Sequence, residues 1–266
     1  MRKIVLLIVL ILLCSSLSAA EKKGAKAETV INPLLALAIA WTFDTADLEN
    51  FTKGYIARGP MGILSIEKSY EKKGVEVRLL GMAHVAEKGF YQDIKNSLQN
   101  KTALILMEGV SDDKKLLKTP PDYGSLAEKL GVDDQRKMFS PEEMPDKVKI
   151  VRADLDVSAF SAGTVEILNF VGQIYSREGI DLGKLIMMYL KLTDIEVSKT
   201  LFNDVFAKRN ECLIRHLKKN MAKHRLILIP WGALHLPEIE KWVVENGFTL
   251  KKQKNRVILP HYPRNS

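Results

Sequence analysis

Two imidazoles and one carboxylate occupy matching places along the chain. His84 closes the Gly-x-x-His of "RLLGMAHVAEKGFYQDI", which begins at Arg78, and His235 closes that of "LILIPWGALHLPEIEKW", which begins at Leu226. Glu108 ends the apolar run "ALILME". Two neutral imidazoles with one carboxylate make a donor set for a divalent metal that keeps positions open for water and substrate. Such an ion lowers the pKa of bound water to about 7, which supplies a hydroxide nucleophile without any serine or cysteine. The same residue types also have plain structural uses: a histidine at a helix start caps or packs, and a carboxylate at a strand end joins a salt bridge. The repetition of the turn adds weight to the metal reading without deciding between them.

The spacing is what makes the turn useful. A glycine just after a strand, Gly81 or Gly232, permits backbone angles and close approaches that a side chain forbids. The histidine three residues later falls at the carboxyl edge of the strand, where α/β sheets keep their ligand crevices. Should the two strands be neighbours in one sheet, His84 and His235 face each other across that crevice. Arg209 offers paired donors for a substrate carboxylate or a developing oxyanion, with a structural salt bridge as the equal alternative. Arg152, Asp154 and Asp156 follow the strand-like "VKIV" and alternate onto one side, either as substrate contact and support for the site or as a surface ion-pair cluster.

The elements that must position these groups are read from periodicity. "GILSIEKS" and "GVEVRLLG" predict strands joined by a hairpin turn over "YEKKG". Phe90, Ile94 and Leu98 then recur at helical spacing, and "TALILMEGV" is a short buried strand. Residues 111–147 are polar, with Pro120-Pro121, and form an insertion with short helices; Ser140-Pro141-Glu142-Glu143 has a capping-box pattern with proline at the first helical position. "VKIVRADLD" is a strand. Helix dominates from Thr164 to about Leu192 and continues through "LFNDVFAKRNECLIRHLKKNM", where Leu201, Val205, Phe206, Cys212, Leu213 and Leu217 share a face. After "RLILIPWG", a helix with Leu236, Ile239, Trp242 and Val243 on its apolar side precedes a final strand pair, "FTLKKQ" and "RVILP". The expected fold is α/β (α+β): a mixed β-sheet with flanking helices, built from two diverged strand-Gly-x-x-His-helix-strand units.

"GMAHVAEKGFYQDI", "LILMEGV", "AKRNECLIRHL" and "GALHLPEIEKW" together resemble the TraB, PrgY and GumN family, which includes the TIKI metalloproteases and lies in a wider superfamily with erythromycin-esterase-like and haem-binding ChaN-like proteins. The likeness covers roughly residues 60 to 258. It implies Gly81 and His84 for the first motif, Glu108 for the acidic position, Arg209 and Asn210 for the helical motif, and Gly232 and His235 for the second. It further implies a divalent-metal-dependent peptidase, with His84, Glu108 and His235 as the metal and catalytic set; beside it, Arg209 is expected to assist catalysis, and Arg209, Asn210 and Arg152 to meet substrate. Manganese or cobalt is expected ahead of zinc. Met82, Trp231 and Pro237 depart from the family pattern.

Composition bounds the partners. Arg2-Lys3, the apolar run Ile4 to Leu13 and Ser18-Ala19-Ala20 have the order of a secretory signal peptide, with cleavage expected after Ala20 and an uncleaved membrane anchor as the alternative. The boundaries read are 1–20 signal peptide, 21–59 leader and N-terminal helix, 60–258 the main domain with its insertion, and 259–266 tail. Taking Arg2 and Lys3 from the 40 basic residues leaves 38 against 32 acidic ones, a net of +6. The clusters "RHLKKNMAKHR" and "KKQKNR" lack interleaved aromatics, which argues for solvated faces and against nucleic acid. With Cys14 in the leader, Cys212 is the only cysteine of the expected mature chain and reads as buried packing; His216, His224 and His261 read as solvated. The expected protein is therefore an exported, periplasmic or extracellular hydrolase acting on a peptide or small molecule. The alternative is a peptide- or haem-binding envelope protein on the same scaffold.

Overall fold

A mixed sheet carries the candidate residues. The computed structural model describes residues 52–82, 85–118, 127, 132–135, 139–175, 187–188 and 191–260. The signal and leader segments, His84, Pro120-Pro121 and His261 lie outside them. The strands are β1 (Ile56–Gly59), β2 (Gly62–Lys72), β3 (Val75–Met82), β4 (Val85–Ala86), β5 (Ala103–Met107), β6 (Asp133–Asp134), β7 (Val148–Arg152), β8 (Leu226–Gly232) and β9 (Thr249–Pro260). The helices are α1 (Lys88–Leu98), α2 (Ala162–Tyr175), α3 (Ile195–Phe202), α4 (Lys208–Met221) and α5 (Leu236–Glu245). They fall into two compact units: one of Thr45–Gly109, Leu130–Asp154 and Asn210–Ser266, the other drawing its described residues from Val110–Lys129 and Leu155–Arg209.

The first unit is the sheet, in the order β1-β2-β3-β8-β5-β7 with β9 also on β2. β3, β8, β5 and β7 run parallel, whereas β1, β2 and β9 add antiparallel pairings. Parallel strands covered on both faces read as continuous apolar runs. Accordingly Leu79, Leu104, Ile105, Leu106, Ile227 and Ile229 are wholly buried. The helical periodicities follow suit: α1 buries Phe90, Ile94 and Leu98, and α5 buries Leu236, Ile239 and Val243. Cys212 is buried, as expected of a packing thiol.

Ion pairs tie both helices to the sheet. Asp93 on α1 accepts from Lys254 Nζ and Arg256 Nε of β9, each at 2.7 Å. Glu240 on α5 accepts from Lys68 Nζ of β2 at 3.0 Å and from the Tyr70 hydroxyl.

Four local expectations are corrected. The hairpin between β2 and β3 is tighter than "YEKKG": Lys72 pairs with Val75, and the two-residue loop Lys73-Gly74 has φ of 49° and 73°, a turn whose twist suits paired strands. The final strand pair is one strand, β9, held continuously along β2 with register shifts at Ile63/Leu64 and Ser69/Tyr70. The capping box does not form, because the Ser140 side chain makes no cap bond and only Pro141 opens the short 3-10 turn.

In the second unit the long helix is interrupted. A π-helical turn, Asn203–Ala207, separates α3 from α4. Asp204, almost wholly buried, holds that turn by accepting from Ser161 N at 2.7 Å and Lys208 Nζ at 2.6 Å.

Candidate active site

The two strands that precede the Gly-x-x-His motifs are immediate neighbours. β3 and β8 pair in parallel, with Gly81 opposite Trp231 and Met82 opposite Gly232, and β5 flanks β8 on its other side. The carboxyl ends of β3, β8 and β5 therefore share one sheet edge, the place where such sheets bind ligands. Neither glycine has the left-handed φ that only glycine adopts easily. Space decides instead. A Cβ built at Gly81 would lie 2.6 Å from the Tyr55 carbonyl oxygen, and one at Gly232 would lie 3.3 Å from Glu108 Oε2 and 3.6 Å from His235 Cδ2.

The Gly-x-x-His spacing of the second motif is a hydrogen-bonded turn. His235 N donates to Gly232 O at 2.9 Å, which folds the histidine back over the glycine and starts α5. Pro237 then sits in the first helical turn, where a missing N–H costs nothing. Gly232 N donates to Glu108 Oε2 at 2.5 Å, so the carboxylate leaving β5 is pinned to the end of β8. The other carboxylate oxygen, Oε1, lies 3.7 Å from His235 Nε2, with both side chains at least nine-tenths buried.

His235 is held from behind. Its Nδ1 lies 2.7 Å from Asn210 Oδ1 on α4, and Asn210 Nδ2 donates to Glu238 Oε2 at 2.9 Å. The Trp231 ring meets the imidazole edge-on, with centroids 5.2 Å apart and planes at 84°, while its Nε1 donates to Leu106 O at 3.0 Å. Trp231 thus braces β5, β8 and the imidazole together. No family model matches the chain, and no curated protein or solved structure matches it.

The Glu108–His235 spacing fits two ligands of one ion. At 3.7 Å it is too long for a hydrogen bond. Two donors each about 2.1 Å from a common ion at tetrahedral angles lie about 3.4 Å apart. A histidine that ligates a metal usually gives its other ring nitrogen to an oxygen acceptor, which is the part Asn210 Oδ1 plays here. Among the described residues no group of three or more His, Cys, Asp or Glu side chains is arranged to hold an ion. The third donor expected from the sequence, His84, lies outside those residues.

The remaining candidates separate. Arg152 is exposed and its Nη1 donates to Gly109 O at 3.4 Å, which sets it against the turn that follows Glu108. Asp154 is buried and accepts from Gly109 N at 2.9 Å, so it supports the same turn from β7. Asp156 does not continue the alternation. It belongs to the other unit, where it accepts from Ser111 Oγ, Asp113 N and Ser158 N; those donors hold its carboxyl well below the usual range. Arg209 is buried in that second unit, its Nη1 donating to Val205 O at 3.4 Å. Asn210, expected to meet substrate, instead bonds His235 and Glu238. His216 is half-buried, and burial followed by the charges of Lys219, Arg215 and Arg152 lowers its pKa.

Sequence reasoning passed over Glu238 and the bracing use of Trp231. Glu238 had a local signal: it stands three residues after His235 in the first turn of a helix, where both fall on one side.

Proposed function

We propose that this chain is an exported, divalent-metal-dependent hydrolase of the TraB, PrgY and GumN type, acting on peptide bonds. The observation that carries the reading is the convergence of Glu108 Oε1 and His235 Nε2 at 3.7 Å on the carboxyl edge of the parallel strands, with Asn210 behind the imidazole. Glu108 and His235 Nε2 would hold the ion, with His84 the third donor named by the sequence motif and manganese or cobalt the expected metals. Bound there, the ion supplies Lewis acidity toward a carbonyl and acidifies water.

The protein's own groups account for the rest. Gly232 N–H fixes Glu108 Oε2, so Oε1 is the oxygen turned toward His235 and available to the ion. Burial of both side chains strengthens their interaction with developing charge. Arg152, next to the Glu108–Gly109 turn, supplies a cation for a substrate carboxylate. Export rests on the order of residues 1–20.

The test is metal content and cleavage of a mixed peptide library by the purified protein, wild type beside His84→Ala and His235→Ala, after chelation and after adding back manganese, cobalt or zinc. Metal-restored cleavage that both variants lose is the expected result. Metal uptake without cleavage overturns the hydrolase in favour of a binding protein, and no metal uptake overturns the site.

A further inference from the structure

The hydrogen bonds behind His235 have a direction. A carboxylate can only accept, so Glu238 Oε2 requires the amide Nδ2 of Asn210 to face it, as it does at 2.9 Å. That choice turns Asn210 Oδ1, also an acceptor only, toward His235 Nδ1 at 2.7 Å. Nδ1 must then carry the imidazole proton. In the neutral ring Nε2 consequently presents a lone pair on the side of Glu108, 3.7 Å from its Oε1. With the amide reversed, Asn210 would donate to Nδ1, the ring proton would move to Nε2, and Nε2 would be unable to ligate.

We infer that Glu238 and Asn210 are positioning residues that set the tautomer of His235, with Glu238 acting through the Asn210 amide. The placement supports this division of labour. Asn210 is 2% exposed and His235 4%, so their bond is shielded from bulk solvent. Glu238 is exposed, one turn beyond His235, so the relay runs from a solvent-accessible carboxylate to a buried imidazole. Its negative charge in the first turn also suits the amino end of the helix.

The test reads the tautomer directly. Ring 15N chemical shifts of the five histidines are recorded on the full chain without metal or substrate, at mildly alkaline pH where imidazole is neutral, and His235 is assigned by its loss in His235→Gln. Wild type should show the Nδ1–H form. Glu238→Gln, of nearly the same shape, can offer its amide N–H₂ to Asn210 Oδ1 and should populate the Nε2–H form. The double variant Asn210→Asp/Glu238→Gln restores the direction with the charge moved one residue inward, because the new carboxylate accepts from both neighbours, and it should recover the Nδ1–H form. Nε2–H in wild type, or identical spectra in wild type and Glu238→Gln, overturns the inference.

A second measurement rests on the metal-hydrolase reading. Manganese affinity by calorimetry should fall about 10-fold or more in Glu238→Gln and return in the double variant. The two measurements fail separately. Correct tautomers with no manganese binding at all would sink the metal site and leave the relay standing, whereas tight manganese binding that stays unchanged when the tautomer switches would remove His235 Nε2 from the ligand set and again leave the relay standing.

Discussion

The glycines ahead of the two histidine motifs sit side by side at one sheet edge, offset by a single register step, yet they are small for different reasons. Gly81 leaves room for backbone, since a Cβ there would meet the Tyr55 carbonyl oxygen at 2.6 Å, and its own carbonyl accepts from Ser65 Oγ at 2.6 Å. Gly232 leaves room for side chains, since a Cβ there would press on the Glu108 carboxylate and touch His235. The helices that follow differ as well: α1 is tied by Asp93 to β9, and α5 by Glu240 to β2. The returning strands diverge further. β5 joins the parallel set and is followed directly by Glu108, whereas β9 runs antiparallel to β2 and brings no carboxylate to the edge. The two strand ends thus differ in what crowds the glycine: backbone at Gly81, and the Glu108 carboxylate at Gly232.

The comparison can be broken in graded ways. The largest expected effect is Glu108→Gln, which keeps an acceptor for Gly232 N–H and removes only the charge. Metal-restored hydrolysis should fall by about 10²–10⁴-fold while the melting temperature hardly changes. A variant that keeps its rate would remove Glu108 from the site. Next comes Gly81→Ala, where the obstructing atom belongs to the backbone and cannot swing away. Urea denaturation should show a loss of about 1–3 kcal/mol, the usual range for overpacking.

Gly232→Ala should show the reverse profile. Its nearest neighbour is a carboxylate at 3.3 Å that can shift by a few tenths of an ångström, so stability should change by less than about 1 kcal/mol. Metal affinity should nonetheless drop about 10-fold as Glu108 loses its seat. If Gly232→Ala unfolds the protein and Gly81→Ala does not, the assignment of roles is inverted.

The smallest effect concerns the lock on α1. Burial raises the pKa of Asp93, but bonds and charges from Lys254 and Arg256 outweigh it and leave the net shift downward. A folded pKa below the unfolded one contributes stability above the unfolded value of about 3.9, and that stability is lost as pH falls through the folded pKa. Asp93→Asn should therefore lower the melting temperature by a few degrees near neutral pH and by less at pH near 3. Equal losses at both would make Asp93 a packing residue.

Much of this architecture is legible in the residues. β3, β5 and β8 announce themselves as apolar runs because strands buried on both faces have nowhere to put polar groups. The periodic faces of α1 and α5 are equally plain. β9 is harder: the polar pair Lys254-Asn255 looks like a break between two strands, and only its pairing with Glu67 and Ile66 of β2 keeps the strand continuous. The π turn at Asn203–Ala207 left no local signal, since it answers to the buried Asp204 and its partners Ser161 and Lys208. Within the site, Glu108 and His235 could be singled out by position. Asn210 could not be given its role, because nothing near it in the chain says that a histidine 25 residues later will pack against it.

The sequence by itself determined the turns, the faces and the chemical groups at their ends. The second Gly-x-x-His closes through a bond between residues three apart, and Glu108 follows a run that must be buried; both are local facts of backbone geometry. Only the tertiary structure decided that β8 inserts between β3 and β5, although β3 and β5 come consecutively among the sheet's parallel strands. That insertion carries Glu108 to Gly232 and His235 across more than a hundred residues of chain. Strand order is a non-local choice, made by the total burial and pairing that each arrangement allows against the entropy of closing its loops, and no short stretch of residues encodes it.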